Sequence, residues 1–199
     1  EIGSGLVGSE MCIRDRNNGI INHYEYIINS EGTIEIRHAL KPEGKMPLWF
    51  PRIGLTLTVS DALDQVKWYG RGPQENYPDR KTGYPTGIYA STVQAMYEPY
   101  LMPQDYGLRT DVRWLQLTTD KGIGLQFKMN EWFNFNIYPY STDNLTKAMY
   151  TYQLQKQKGM TLNLDYATTG IGCTARGVFG AYKAMPQDCL LYTSPSPRD

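Results

Sequence analysis

The chain has 199 residues, with 20 Lys and Arg against 20 Asp and Glu for a net charge of zero, and it is 41% hydrophobic and 20% charged. That balance is the balance of one globular domain able to bury a sizeable core, with no basic footprint for nucleic acid or an anionic membrane surface. No apolar run approaches the ~20 residues of a bilayer span, and Glu1 to Arg16 lacks the basic region and apolar run of a signal peptide.

Residues 1–16 and 189–199 show neither strand nor helix periodicity. Both read as disordered or non-native ends, because Gly8 to Arg16 and Cys189 to Asp199 are worded like translated sequencing-adapter sequence, and this leaves 17–188 as the domain. Cys12 and Cys189 fall in those ends. With Cys173, their spacing matches no metal site.

Ile20 to Ile28 and Thr33 to Ala39 carry apolar residues in alternation on either side of Glu31-Gly32, which predicts a β-hairpin. Leu48 to Val59 reads as a strand whose Pro51 marks a beginning or an edge, and Ser60 to Leu63 as one helical turn capped by Ser60. A strand then leads into the stretch Lys67 to Arg80, which breaks at Gly70, Gly72 and Pro73. Gly87 to Val93 is a short strand. Tyr97 to Gly107 is irregular because of Pro99 and Pro103. Val112 to Thr118 and Ile123 to Met129 form a second hairpin around Asp120-Lys121-Gly122, and Phe133 to Tyr138 adds another strand. Thr142 to Met149 is the one helical pattern, with Ser141 or Thr142 as cap. Tyr150 to Leu154 and Met160 to Tyr166 complete the strands. Many short strands with turn signals and little helix predict an all-β antiparallel sandwich or barrel.

The loop between Gly70 and Arg80 is denser in charge and aromatic surface than a plain connection needs: Arg71, Glu75, Tyr77, Asp79 and Arg80 lie within it. Read as Trp68-Tyr-Gly-Arg-Gly-Pro-Gln-Glu-Asn-Tyr-Pro-Asp-Arg80, it resembles a signature of the C-terminal β-sandwich domain, or small chain, of glycoside hydrolase family 2 β-galactosidases. Tyr97-Glu98-Pro99-Tyr100, Gly107-Leu-Arg-Thr-Asp-Val-Arg-Trp114, Leu162-Asn-Leu-Asp-Tyr166 and Gly170-Ile-Gly172 follow in the same order, over about Asn17 to Asp188. The resemblance implies a large antiparallel β-sandwich of the galactose mutarotase-like kind, cut off before its last strand. It also implies a partner, the catalytic TIM barrel and other domains of one enzyme, which hydrolyses terminal β-galactosides with retention and can be an oligomer. In that family the two catalytic glutamates and the Mg2+ and Na+ sites lie in other domains, so no cofactor is expected here.

Retaining glycoside hydrolysis needs two carboxyl groups about 5–5.5 Å apart. Glu75 and Asp79 are the close pair in the signature loop. With Arg71 and Arg80 beside them they read as ion-paired structural groups, since a neighbouring guanidinium favours the ionised form over a general acid. Aromatic faces beside planar polar groups suit a sugar, which makes Trp68, Arg71, Glu75, Tyr77, Tyr100 and Arg109 the candidate substrate-binding residues; Trp114 and Trp132 also qualify, Trp114 reading more as core. Family members place a tryptophan after the Gly-x-Gly at the mouth of the sugar site. Here Cys173-Thr-Ala-Arg176 follows instead, and Arg176, or Phe179, is the candidate substitute.

Two other functions stay open. A free-standing carbohydrate-binding module would bind sugar alone, and an aldose 1-epimerase would use His23 and His38 if the two arms of the first hairpin brought them face to face.

Overall fold

The computed structural model describes residues 5–15, 18–172 and 177–185. The fold is all-β with two antiparallel sheets, the class that the sequence predicts, and it divides into two compact units. Arg176 and the tail after Asp188, where the expected cut-off strand would begin, lie outside the described residues.

The first unit holds a three-stranded sheet in the order β1 (Gly5–Asp15), β2 (Asn18–Ile28), β3 (Ile34–Glu43). The β2–β3 hairpin is the one read from the alternation. Its turn is fixed by the Asn29 side chain, whose Oδ1 accepts from the Glu31 and Thr33 amides at 3.0 and 2.9 Å. Strand β1 departs from the sequence reading, which found no periodicity there. It pairs along the whole of β2 through main-chain groups, and a free strand edge offers those to any extended segment whatever its side-chain pattern.

The second unit, Pro51–Lys183, is built on a six-stranded sheet. Its strands are β4 (Arg52–Val59), β5 (Gln65–Arg71), β6 (Thr86–Thr92), β7 (Arg109–Thr118), β8 (Gly124–Tyr138) and β9 (Met160–Thr168), in the order β4-β9-β8-β7-β5-β6. Pro51 precedes β4, which is an edge strand, in agreement with both readings of that proline. Register matches apolar to apolar on one face: Trp68 lies opposite Leu115, Val66 opposite Leu117, Phe135 opposite Leu164 and Ile137 opposite Leu162. These side chains form a single buried core, with Phe135 meeting the Trp68 ring edge-on at 5.9 Å.

Three local expectations change. The separate strands expected over 123–129 and 133–138 are one strand, β8. Its pairing with β7 slips between Trp114↔Lys128 and Val112↔Phe133, so four residues of β8 stand out of register and mimic a break in the pattern. Ser60 to Leu63 is a hydrogen-bonded turn rather than a helical one, although Ser60 Oγ does accept from the Ala62 amide at 3.3 Å. Tyr150 to Leu154 is not a strand: Gln153 Oε1 accepts from the Met149 and Tyr150 amides, at 2.7 and 3.1 Å, and closes a 3-10 turn over Thr151–Gln153. The helix α1 forms over Thr142–Lys147 with Ser141 as its cap.

The opposite face of β8 and β9 is polar and nevertheless buried. Asn163 donates to Asn136 Oδ1 at 2.8 Å and to the Tyr138 hydroxyl at 3.0 Å, and it accepts from Thr56 at 2.8 Å. Arg52 closes this layer on Asp165 at 2.9 Å and Asp105 at 3.4 Å. Burial pushes the Asp165 carboxyl up to about 7 against the pull of Arg52. Burial would lower the Arg52 guanidinium, but the two facing aspartates outweigh it and hold Arg52 above its usual value.

The loop after β5 is tied to β7 through Asp111, whose backbone has a φ of 55°. Its carboxylate accepts from Arg71 Nε and Lys81 Nζ, each at 2.5 Å. Burial alone would raise this carboxyl, but the hydrogen bonds from Lys81 and Arg71 outweigh it and hold Asp111 below the usual range. A depressed folded-state value means that the stabilisation is present above the unfolded value of 3.8 and is lost as the pH falls through the folded one. Urea unfolding of Asp111→Asn should therefore show a deficit at neutral pH that shrinks steadily below about pH 4. A deficit independent of pH would contradict the pairing.

Candidate functional site

The signature loop is held by three anchors, all of them polar. Asn76 is fully buried: its amide donates to Leu108 O at 2.8 Å, its Oδ1 accepts from the Thr110 amide at 3.0 Å and hydroxyl at 2.5 Å, and its Nδ2 donates to Gln74 O at 3.0 Å. Glu75, 7% exposed, is the second. Its carboxylate accepts from the Tyr77 hydroxyl at 3.1 Å, from the Gly107 amide at 2.8 Å and from the Tyr100 hydroxyl. Gly107 sits at a φ of 76°, a conformation side-chain-bearing residues rarely adopt, and this turns its N–H onto the carboxylate.

Asp79 is the third anchor. It accepts from the Ile171 and Gly172 amides at 3.1 and 2.7 Å, which brings the 170–172 segment against the signature loop. A Cβ on Gly170 would stand 2.4 Å from the Asp79 carboxyl carbon, so a glycine is required for that approach.

Arg109 lies between the loop and the core. Its Nε donates to Pro73 O at 3.0 Å, its guanidinium also donates to Gly107 O at 2.8 Å, and it stands 5.5 Å over the Trp68 ring. Burial pushes its pKa down to about 10, although Glu75 and Glu98 oppose this. Burial and then the carboxylate of Glu75 push the Tyr77 hydroxyl well above its usual value. Burial and the hydrogen bond to Glu75 take Tyr100 up to about 12.

The structure thus brings Glu75, Tyr77, Tyr100 and Arg109 into one cluster. Trp68 lies beneath it, wholly buried in the core with its ring N–H donating to Arg71 O at 3.0 Å, so its faces are not offered to a ligand. Arg71 points the other way, to Asp111 and to the carbonyls of Lys81 and Tyr84 at 3.2 and 3.0 Å. The expected ion pairs within the loop are therefore replaced. Glu75 and Asp79 serve structure, but through hydroxyls and backbone amides, because Arg71 is already taken by Asp111.

Trp114 is half-buried on the face away from the core, 6.4 Å from Tyr69, and not in the core as its alternation suggested. Val112 and Leu115 both face inward, so the slip in register sets Arg113 and Trp114 outward together. The Arg113 guanidinium is sandwiched between Tyr69 at 4.8 Å and Trp132 at 4.3 Å, and Trp132 is exposed. The histidines do not form a pair. His38 lies opposite Tyr24 and stacks on it at 4.3 Å, while His23 lies opposite Ala39 and so projects from the other face of the hairpin.

Sequence reading missed Asn76, Gly107, Thr110 and Asp111 as organisers, although all four lie within quoted motifs. Their residue types signal turns, and what they hold is decided by distant carbonyls and hydroxyls. Among the described residues, no group of three or more His, Cys, Asp or Glu could hold a metal ion.

In this geometry the motif loops are committed to holding one another. The family model described as beta galactosidase small chain matches residues 7–190. A beta-galactosidase of Priestia megaterium is 37% identical over 147 residues, 74% of this chain and 14% of that protein. Beta-galactosidases of Vibrio cholerae and Pseudoalteromonas haloplanktis are 38% and 33% identical over 61% and 78% of the chain, and over 11% and 14% of their own lengths. The match therefore spans only about 11–14% of the length of these relatives. On the family model and these identities together, the chain belongs to the beta-galactosidase small-chain family.

Proposed function

We propose that this chain is a packing and active-site-wall domain of a β-galactosidase, which supplies no catalytic carboxylate and works only beside the catalytic barrel and other domains of the same enzyme. The reading rests on one observation above all: both carboxylates of the signature loop are spent on holding loops. Glu75 accepts from two tyrosine hydroxyls and an amide, and Asp79 accepts from two amides. A nucleophile needs a free lone pair facing the substrate, and a general acid needs a proton to give. Neither carboxylate is arranged for either task.

The substrate in this reading is a terminal β-galactoside bound by the intact enzyme. Tyr100, half-buried, and Phe179, 58% exposed, are the aromatic groups available to border its site, and Arg176 belongs to the same loop in sequence. Trp68 and Arg109 support that border from beneath by fixing the loop.

Three outcomes follow. The isolated chain should leave o-nitrophenyl galactoside unhydrolysed at any enzyme concentration where it is folded; turnover by the folded chain would overturn the proposal. Glu75→Gln should cost about 1–3 kcal/mol of unfolding free energy, because a buried acceptor is replaced by a group with a mismatched donor. In the intact enzyme its effect on kcat should then follow the folded fraction, whereas a catalytic carboxyl would cost roughly 10²-fold or more in fully folded protein. Arg176→Ala in the intact enzyme should raise KM for lactose, and an unchanged KM would remove Arg176 from the site.

A further inference from the structure

A small pocket lies between the 97–106 segment and the turn that follows α1, lined by Tyr97, Glu98, Tyr100, Tyr106, Leu145 and Leu154. Its free volume of about 10 Å³ suits one water-sized group. Two of its residues lack what burial demands. Tyr106 is 2% exposed, yet its hydroxyl has no hydrogen-bond partner among the described residues. Nearby hydroxyls are engaged elsewhere, Tyr100 on Glu75 and Tyr138 with Asn163. Glu98 is half-buried, and among the described residues its carboxylate has neither ion pair nor hydrogen bond.

The charge balance around the pocket is negative. Burial, and then repulsion from Glu75, raises the Glu98 carboxyl above its usual range, and Arg109 acts against this. Arg109 spends its Nε and one Nη on Pro73 O and Gly107 O and makes no ion pair with Glu98. Tyrosine rings form part of the remaining wall, with Tyr97 set edge-to-face on Tyr106 at 5.3 Å, and Pro103, Gln104, Leu145 and Leu154 complete it. An unpaired hydroxyl, a carboxylate without an ion pair among the described residues and tyrosine rings together describe a receptor for a cation.

We propose that this pocket takes a single ammonium group, the tip of a lysine side chain supplied by the part of the enzyme outside this chain, which donates to the Tyr106 hydroxyl and the Glu98 carboxylate. One ammonium nitrogen can donate to both groups from a single point, and a water molecule leaves the carboxylate's charge unanswered. That the lysine comes from elsewhere in the enzyme rests on the reading above, in which most of a β-galactosidase lies outside this chain. The pocket's preference for ammonium does not depend on that reading.

The test is an NMR titration of the isotope-labelled 199-residue chain with methylammonium chloride at constant ionic strength, with tetramethylammonium as a control too large to enter. Saturable shifts at Tyr97, Tyr106 and Leu145 are expected, with a Kd on the order of 10 mM for so small a ligand. Glu98→Gln should weaken binding by about tenfold or more. Tyr106→Phe should also weaken it without loss of stability, because the deleted hydroxyl has no partner among the described residues. Equal responses to the two cations, no saturation by about 100 mM, ten times the expected Kd, or binding unaltered by Glu98→Gln would leave the pocket as a water site and overturn the proposal. Loss of stability in Tyr106→Phe would also overturn it. Failure here leaves the hydrolysis test untouched, and turnover by the isolated chain would leave the ammonium site standing.

Discussion

The Glu75 carboxylate is the point on which the loop end of the second unit depends. One buried anion gathers the hydroxyls of Tyr77 and Tyr100 and the amide of Gly107, and so ties its own loop to the 97–108 segment. Among the described residues, no arginine forms an ion pair with it. Arg109 compensates from a distance while its own donors hold Pro73 and Gly107 in place. A carboxylate satisfied by neutral donors gains directional bonds to each segment at once, and leaving any of these partners unpaired in the buried cluster is costly. Asp79 repeats the device with the 170–172 segment, and Asp111 repeats it with cations at the outer rim, where side chains can still meet water.

The same economy of polar groups shapes the sheet beneath. On β8 and β9 the alternation that buries Phe135, Ile137, Leu162 and Leu164 also turns Asn136, Asn163 and Asp165 to the other face, where they are buried too. Buried amides are tolerable only when every donor and acceptor is matched. Asn136 meets Asp105 and the Tyr106 carbonyl, so the polar layer fastens the 97–108 segment to the sheet. That segment carries Tyr100 and Gly107 to Glu75. Packing of the sheet and placement of the signature loop are thus one network, and the rigidity of the candidate site derives from the sheet.

Much of this was legible in the residues. Alternation of apolar and polar residues located the strands, as in Val112 to Thr118, despite its slip at Arg113-Trp114, and in Met160 to Tyr166, where both faces are buried but only one is apolar. It failed where pattern and pairing part company. Strand β1 pairs with β2 where the sequence shows no alternation, β8 hides a slip of register, and at 150–154 a glutamine side chain captures the amides that a strand would have used. The loop was recognised from its wording, but its wiring was not. Arg71 and Glu75 look like partners four residues apart, and only the fold reveals that Asp111 takes the arginine while tyrosines take the glutamate. Likewise, nothing in the spacing of His23 and His38 tells which faces of a hairpin they occupy until the register is fixed.

The central claim is that the motif carboxylates lock the loops rather than await a substrate. Native-state hydrogen exchange of the isolated chain tests it most directly, by reading the amides of Gly107 and Gly172, whose acceptors are Glu75 and Asp79. The account predicts that both exchange as slowly as amides in the β7–β8 ladder, since they open only when the cluster does. Exchange at the rate of an unprotected loop, with the ladder still protected, would contradict it.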